Sequence, residues 1–302
     1  MAKFNERTLK LLEERYYFKD IETGKTIEKT PEEMFRRVAK HIAKAEKTQK
    51  LQKIWEEKFY SLMNNQYFMP NTPTLIGSGY ENKCLSACSV LPKVPDTLEG
   101  IYKHMWQNAK LTKSGCGVGQ DLSDIRPKGE IIKSSGGKSA GVVNWMHLIN
   151  SVAETTIQGD KARRAANMIS LRFNHPDIFD FIHSKETDGT LSAMNISVVI
   201  NDEEINKVIN DGSIDLVWNG KIYNTVKARE IFNQIIDGMW ENGEPGALLL
   251  NALNRNNPFN LQDGKFDENN SHYMVTTNPC GNSLPQVKHW AKTVKTEMLI
   301  PC

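Results

Sequence analysis

Three short constellations hold the residues able to do chemistry. Thr276-Thr277-Asn278-Pro279-Cys280-Gly281 follows a short apolar run and sets a cysteine between proline and glycine, on a turn of fixed shape. Such a turn can present sulfur at its tip, where a thiolate or thiyl is reactive. The residues alone equally allow an ordinary buried cysteine near a turn. Ser114-Gly115-Cys116-Gly117-Val118-Gly119 spaces its glycines so that backbone N–H groups can approach an anion, or so that the chain can take positive φ. It is neither a Walker loop nor a GxGxxG opening a helix, and a tight helix-to-strand connection is the competing reading. The third, Gln158-Gly159-Asp160-Lys161-Ala162-Arg163-Arg164-Ala165-Ala166-Asn167, gathers two arginines, a lysine and a flexible glycine. It reads either as a phosphate-contacting loop or as a solvated basic turn.

Cysteines occur at 84, 88, 116, 280 and 302, too few and odd in number for a secreted disulfide scaffold. Cys84-x3-Cys88 lacks the second ligand block of a zinc site, so no metal is expected. In a reducing compartment a disulfide here would be catalytic rather than structural.

Two textures must position these groups. Residues 1–69 read as helical. Thr30-Pro31-Glu32-Glu33 is a strong start, with Thr30 as N-cap, Pro31 at the first helical position and Glu33 completing a capping box. Met34, Phe35, Val38, Ala39, Ile42 and Ala45 follow with helical period, and a second amphipathic stretch covers 51–63. From Pro70 short apolar runs alternate with helical patterns. Strands are predicted at 86–91, 116–120, 166–172, 194–200, 214–218, 246–250 and 272–276. Helices are predicted at 97–113 (opened by Asp96), 142–156, 176–184 (Pro176 at the first position) and 226–242 (stopped by Gly243). Alternation of this kind means parallel βαβ units. The last twenty or so residues, through His289, Trp290 and Cys302, fit neither texture and cannot close a parallel sheet.

The chain has 302 residues, 39% of them hydrophobic and 25% charged, which excludes a disordered or fibrous protein. Lys and Arg number 38 against 36 acids, a net charge of +2, spread evenly; neither nucleic acid nor membrane is expected as a partner. No apolar run suits a membrane span or a signal peptide, so the expected location is the cytoplasm.

Between Asn71 and Gly281 the constellations fall into a longer ordered series. It comprises Pro70-Asn71-Thr72-Pro73-Thr74-Leu75, Leu85-Ser86-Ala87-Cys88-Ser89-Val90-Leu91-Pro92, Pro95-Asp96-Thr97-Leu98 and the glycines from Gly115 to Gly119. Ile125-Arg126-Pro127-Lys128-Gly129, Gly136-Gly137-Lys138-Ser139-Ala140-Gly141, Arg163-Arg164-Ala165-Ala166-Asn167-Met168 and His175-Pro176-Asp177-Ile178 follow. Gly243-Glu244-Pro245-Gly246 and Asn278-Pro279-Cys280-Gly281 complete it. In this the sequence resembles the large catalytic subunit of ribonucleotide reductase, most closely the adenosylcobalamin-dependent class.

The resemblance implies an α/β fold: an N-terminal helical domain, then the first half of a ten-stranded α/β barrel ending at the finger loop. The corresponding ranges are 1–69, 70–281 and an atypical tail at 282–302. It implies reduction of ribonucleotides to deoxyribonucleotides by a thiyl radical. Cys280 matches the radical cysteine that takes the ribose 3′-hydrogen, Cys88 one of the two reducing cysteines that become a disulfide, and Asn278 the asparagine bonded to the sugar. Thr72, Ala87, Cys88, Gly117, Pro279 and Gly281 match segments that hold substrate. Asp96, Thr97 and Leu98 match the start of the effector site, where Asp96 meets the ribose of a deoxynucleotide or ATP. Arg126, Lys133 and Lys138 would meet its phosphates. Gln158, Lys161, Arg163 and Arg164 match the loop linking effector to substrate base. The implied partners are a homodimer mate, a thioredoxin-like reductant and adenosylcobalamin.

The pattern departs from the family at Asn282, where the family has a glutamate that acts as base. The context of the second reducing cysteine is also absent, since nothing around Cys302 matches it. So are the second half-barrel and the regulatory ATP cone. The expectation is a split or truncated enzyme whose second polypeptide carries the rest of the barrel. The alternatives are a non-catalytic remnant that only binds deoxynucleotides, and a large subunit of the di-metal-dependent class. Whether the substrate is a di- or triphosphate is not legible.

Overall fold

The computed structural model describes residues 4–81, 84–156, 166–187, 189–255, 257 and 273–279. These fall into two compact units, with the division between Ala87 and Cys88.

The first unit is helical. It contains α1 (Glu6–Arg15), α2 (Pro31–Ala43), α3 (Gln49–Asn64) and α4 (Thr72–Gly77). Each begins at a side-chain cap, from Asn5, Thr30, Thr48 and Asn71, because the first N–H groups of a helix have no internal partner. At α2 the expected box is shifted by one residue: Glu33 accepts from Lys29 N–H rather than from the cap residue itself. Met34, Phe35, Val38 and Ala39 of α2 meet Met63 of α3, Leu75 of α4 and Tyr17 in one apolar core. Buried Glu28 pairs with Arg37 at 2.7 Å, and Arg37 also donates to the carbonyls of Leu75 (3.0 Å) and Ser78 (2.6 Å). This ion pair fastens the end of α4.

The second unit is a five-stranded parallel sheet in the order β1-β2-β3-β4-β7. The strands are β1 (Cys88–Val90), β2 (Gly117–Asp121), β3 (Asn167–Arg172), β4 (Met194–Ile200) and β7 (Gly246–Leu249). The connections carry α5 (Leu98–Lys113), α6 (Val142–Thr156), α7 (Ile178–Ile182), α8 (Asp202–Ile209) and α9 (Ala228–Asn242), while α10 (Leu250–Arg255) follows β7. β2 is buried along its whole length, and β3 and β4 nearly so, as parallel strands covered on both faces must be. Ile169 and Leu171 of β3 and Ile196, Val198 and Ile200 of β4 pack with α5, α6 and α9 in the main core. A helical unit followed by parallel α/β structure is the expected fold class.

Several local expectations are corrected. A hairpin of β5 (Ser213–Trp218) and β6 (Lys221–Lys227) precedes α9, whose predicted start at 226 therefore falls in a strand. Its turn is Asn219-Gly220, both at positive φ (48° and 76°), the geometry a two-residue hairpin requires. α5 is capped by Thr97, not Asp96. Pro176 precedes α7, and Asp177 uses its carboxylate on Val142 N–H at the start of α6 (2.9 Å) and on Lys128 N–H (3.0 Å). Residues 273–276 form no strand.

Candidate active site

Period-2 alternation and the strand registers define one sheet face. Cys88 pairs with Gly117, Gly119 with Met168, and Asp121 with Ser170, which pairs with Ser197, itself opposite Gly246. Cys88, Gly117, Gly119, Asp121, Ser170, Ser197 and Gly246 make much of this face small or polar, with Val90, Met168 and Val199 beside them, while Ile169, Leu171, Ile196, Val198 and Ile200 point to the helix side. The segment 277–279 lies on it. A Cβ on Gly117 would come within 3.0 Å of Cys88 Sγ and 3.2 Å of Pro279 Cγ, and one on Gly119 would overlap the Thr277 carbonyl oxygen. The glycines of β2 thus serve close packing of a second chain segment, not a tight turn alone. The contacts also give direction: the segment runs antiparallel to β2 and brings Pro279 to the place where Cys88 presents its sulfur.

Asn278 is 4% exposed, and its Oδ1 has no hydrogen-bond partner among the described residues. Thr276 Oγ1 is in the same state. Buried oxygens left unsatisfied are costly and rare. Both of these lie on the described segment that faces the glycine strand. Cys280, Gly281 and Asn282 lie outside the described residues. Asn254, which no motif singled out, holds the segment's start: it accepts from Met274 N–H at 2.9 Å and donates to the Met274 carbonyl at 2.8 Å.

Deeper on the same face, Ser123 and Ser170 donate to Asp121 Oδ1 at 2.7 and 3.2 Å, and burial pushes the Asp121 carboxyl up. On the opposite face His104 Nε2 donates to Gln120 Oε1 (2.8 Å), and Gln120 Nε2 to Asn167 Oδ1 (2.9 Å). Burial pulls His104 down to about 4, so the ring is neutral and its proton sits on Nε2. Cys116 also belongs to that side, 3.3 Å from Ser89 Oγ.

Of the residues expected to hold substrate, Cys88, Gly117, Asn278 and Pro279 are brought together. Thr72 and Ala87 are in the first unit, where Thr72 Oγ1 lies 3.2 Å from the Tyr16 hydroxyl.

Of the expected effector residues, Asp96 and Arg126 meet directly. Asp96 accepts from Arg126 Nε (2.8 Å) and Arg126 N–H (3.2 Å). Thr97 caps α5 and Leu98 begins it, 60% exposed. Lys133 and Lys138 are exposed on a loop closed by the Ile131–Lys138 bridge. Glu130 anchors that loop to the β5–β6 hairpin, accepting from Lys221 Nζ (2.7 Å) and the Tyr223 hydroxyl. Gln158, Lys161, Arg163 and Arg164 lie outside the described residues.

Comparison with known proteins gives two family matches. Residues 2–83 match the ribonucleotide reductase all-alpha domain, and residues 86–290 the ribonucleotide reductase barrel domain. A vitamin B12-dependent ribonucleoside-diphosphate reductase of Thermoplasma acidophilum is 35% identical over 92% of this chain and 42% of its own length. One of Mycobacterium tuberculosis is 35% identical over 90% of this chain and 38% of its own. A ribonucleoside-diphosphate reductase large chain of Encephalitozoon cuniculi is 30% identical over 78% and 33%. The chain thus spans about two fifths of the length of the first two relatives.

Proposed function

The chain belongs to the ribonucleotide reductase large-subunit family, and on that premise we propose that it is the catalytic chain of an enzyme reducing ribonucleotides to deoxyribonucleotides by a thiyl radical. The observation carrying this reading is the meeting of Cys88 Sγ and Pro279 over Gly117, because Cys280 is the next residue in the chain. A ribose between these two sulfurs is attacked from one side and reduced from the other. Cys280 as a thiyl takes the 3′-hydrogen. The 2′-hydroxyl leaves as water, Cys88 and a second cysteine together supply two electrons and two protons and become a disulfide that a thioredoxin-like dithiol restores, and Cys280 returns the hydrogen to C3′. Asn278 Oδ1, buried and open, accepts from a ribose hydroxyl.

Asp96, Thr97, Leu98 and Arg126 form the start of an effector site for a deoxynucleotide or ATP, with Lys133 and Lys138 on the adjoining loop. Leu98, Tyr102 and Trp106 recur at helical spacing on α5 and are 60%, 53% and 59% exposed. That stripe begins at the effector residues and supports a homodimer face there.

Adenosylcobalamin is the radical source this reading expects, through the names of the relatives that are 35% identical. Segment 277–279 covers Gly117 and Gly119, and a cavity of about 280 Å³ lined by Lys128, Gly141, Asn144, Asp177, Asp180 and His183 has neither Cys88 nor Pro279 in its wall. Asn282 supports a second reading, a chain that keeps the effector site and has lost the chemistry.

The test is ribonucleotide reduction with adenosylcobalamin, a dithiol and a deoxynucleotide, on this chain alone and with any polypeptide that co-purifies from its host. Turnover abolished by Cys280→Ser, with effector binding retained, is the expected result. Effector binding without turnover in either sample overturns the catalytic reading in favour of the second.

A further inference from the structure

Asn254 makes both halves of a ladder-like bond pair with a single residue. Its Oδ1 accepts from Met274 N–H at 2.9 Å, and its Nδ2 donates to the Met274 carbonyl at 2.8 Å. The same Nδ2 donates to Leu250 O at 3.0 Å, which ties the amide to α10. Asn254 is 1% exposed and Met274 4%. We propose that Asn254 is a positioning residue, which fixes the backbone at Met274 so that segment 276–279 follows β2 and Pro279, the residue before Cys280 in the sequence, reaches the Cys88 side. The inference rests on the reading of Cys280 as the reacting cysteine.

Three arguments carry it. Among the described residues, segment 273–279 joins no strand ladder, so no neighbouring strand sets its register. A buried backbone group must still find its partners, and here one side chain supplies both. Only an amide carries a donor and an acceptor in that arrangement; a carboxylate cannot donate, and leucine does neither. The clamp is also anchored where it matters, since α10 begins directly after β7 of the sheet that carries Cys88. A slip at Met274 would carry through to Pro279, whose place over Gly117 is fixed to within a contact distance. Errors of about 1 Å in such a placement cost about 10²-fold in rate.

The test uses the full chain and a disulfide probe. Diamide takes two electrons and two protons from a pair of neighbouring thiols, and peptide mapping then reads a Cys88–Cys280 disulfide. The wild-type chain is expected to form it. Asn254→Leu and Asn254→Asp are expected to slow it about tenfold or more, while the core variant Ile235→Val stays within about twofold, because only the first two lose the clamp. Hydrogen exchange on the wild-type chain gives a second reading independent of variant folding: the Met274 amide should be protected. Failure of the wild-type chain to form the disulfide overturns the reading of Cys280, and the proposal with it. A disulfide that forms as fast without Asn254, or an unprotected Met274 amide, overturns the clamp alone.

Discussion

Gly119 and Thr277 leave no room between them for a side chain. A Cβ on the glycine would overlap the threonine carbonyl oxygen and come within 2.9 Å of its carbonyl carbon and 3.2 Å of Asn278 Cα. These neighbours are backbone, which cannot swing aside. Gly119→Ala must therefore push segment 277–279 off β2, moving Asn278 and the chain entering Cys280. We expect the sheet to fold and the Cys88–Cys280 disulfide probe to fall by about 10²-fold. Gly117→Ala meets one sulfur and one ring carbon at 3.0 and 3.2 Å, and should be milder. Thermal melting beside the disulfide assay separates displacement from unfolding.

Asp96 and Arg126 form a half-buried pair at 2.8 Å beside the exposed apolar stripe of α5. Asp96→Ala removes the acceptor of both Arg126 bonds, so deoxynucleotide binding measured by calorimetry should weaken about tenfold or more. Trp106→Lys should leave a single-site affinity in place and shift the chain toward monomer in light scattering, because a charge then stands in an apolar contact. A dimer that survives Trp106→Lys places the interface elsewhere.

Glu204 closes the capping box of α8 with Asn201, and burial pushes its carboxyl up to about 7. The unfolded chain releases that proton near 4.5, so between 4.5 and 7 the folded state holds more protons and stability falls as pH rises. The integrated loss is on the order of 3 kcal/mol. Glu204→Gln keeps an oxygen acceptor for Asn201 N–H and should flatten this part of a stability–pH curve from urea unfolding. His104 works in the opposite sense. Its folded value near 4 lies below the unfolded 6.5, so its contribution is complete above 6.5 and is lost as pH falls toward 4.

Arg37 answers Glu28 in the first unit, with side-chain exposures of 12% and 8%. Arg37→Met leaves a buried carboxylate unpaired and should cost about 3–5 kcal/mol in denaturant unfolding. Adding Glu28→Gln should recover a substantial part of that loss, since the uncompensated charge goes with it. No recovery would assign the loss to the carbonyls of Leu75 and Ser78 instead.

How much of this the sequence discloses depends on the range of each interaction. β2, β3 and β4 are legible because strands buried on both faces read as continuous apolar or small-residue runs. Thr30-Pro31 is legible because capping is local. The β5–β6 hairpin carried a readable signal in Asn219-Gly220 that the strand-and-helix alternation masked. Asp96 shows the limit: its position suits a helix cap, yet Arg126, thirty residues on, takes the carboxylate and Thr97 caps α5. Asn254 has no local signature at all, because its meaning lies in Met274, twenty residues away. Gly119 could be marked as a close approach, but what approaches it is settled only by the folded chain.

Asn282 carries the last prediction. Two residues before it stands Cys280, and the resemblance places a glutamate at 282 to take the proton of the ribose 3′-hydroxyl. An amide oxygen accepts a hydrogen bond but no proton at neutral pH. Loss of a positioned general base costs about 10²–10⁴-fold. Asn282→Glu should therefore raise turnover of any active preparation by a factor in that range and introduce an acid limb in its pH–rate profile. Cys280→Ser in the same background should return turnover to zero, tying the gain to the thiyl route. If Asn282→Glu binds effector as before and changes neither rate nor pH profile, residue 282 does not reach the 3′-hydroxyl, and the proton leaves by another path.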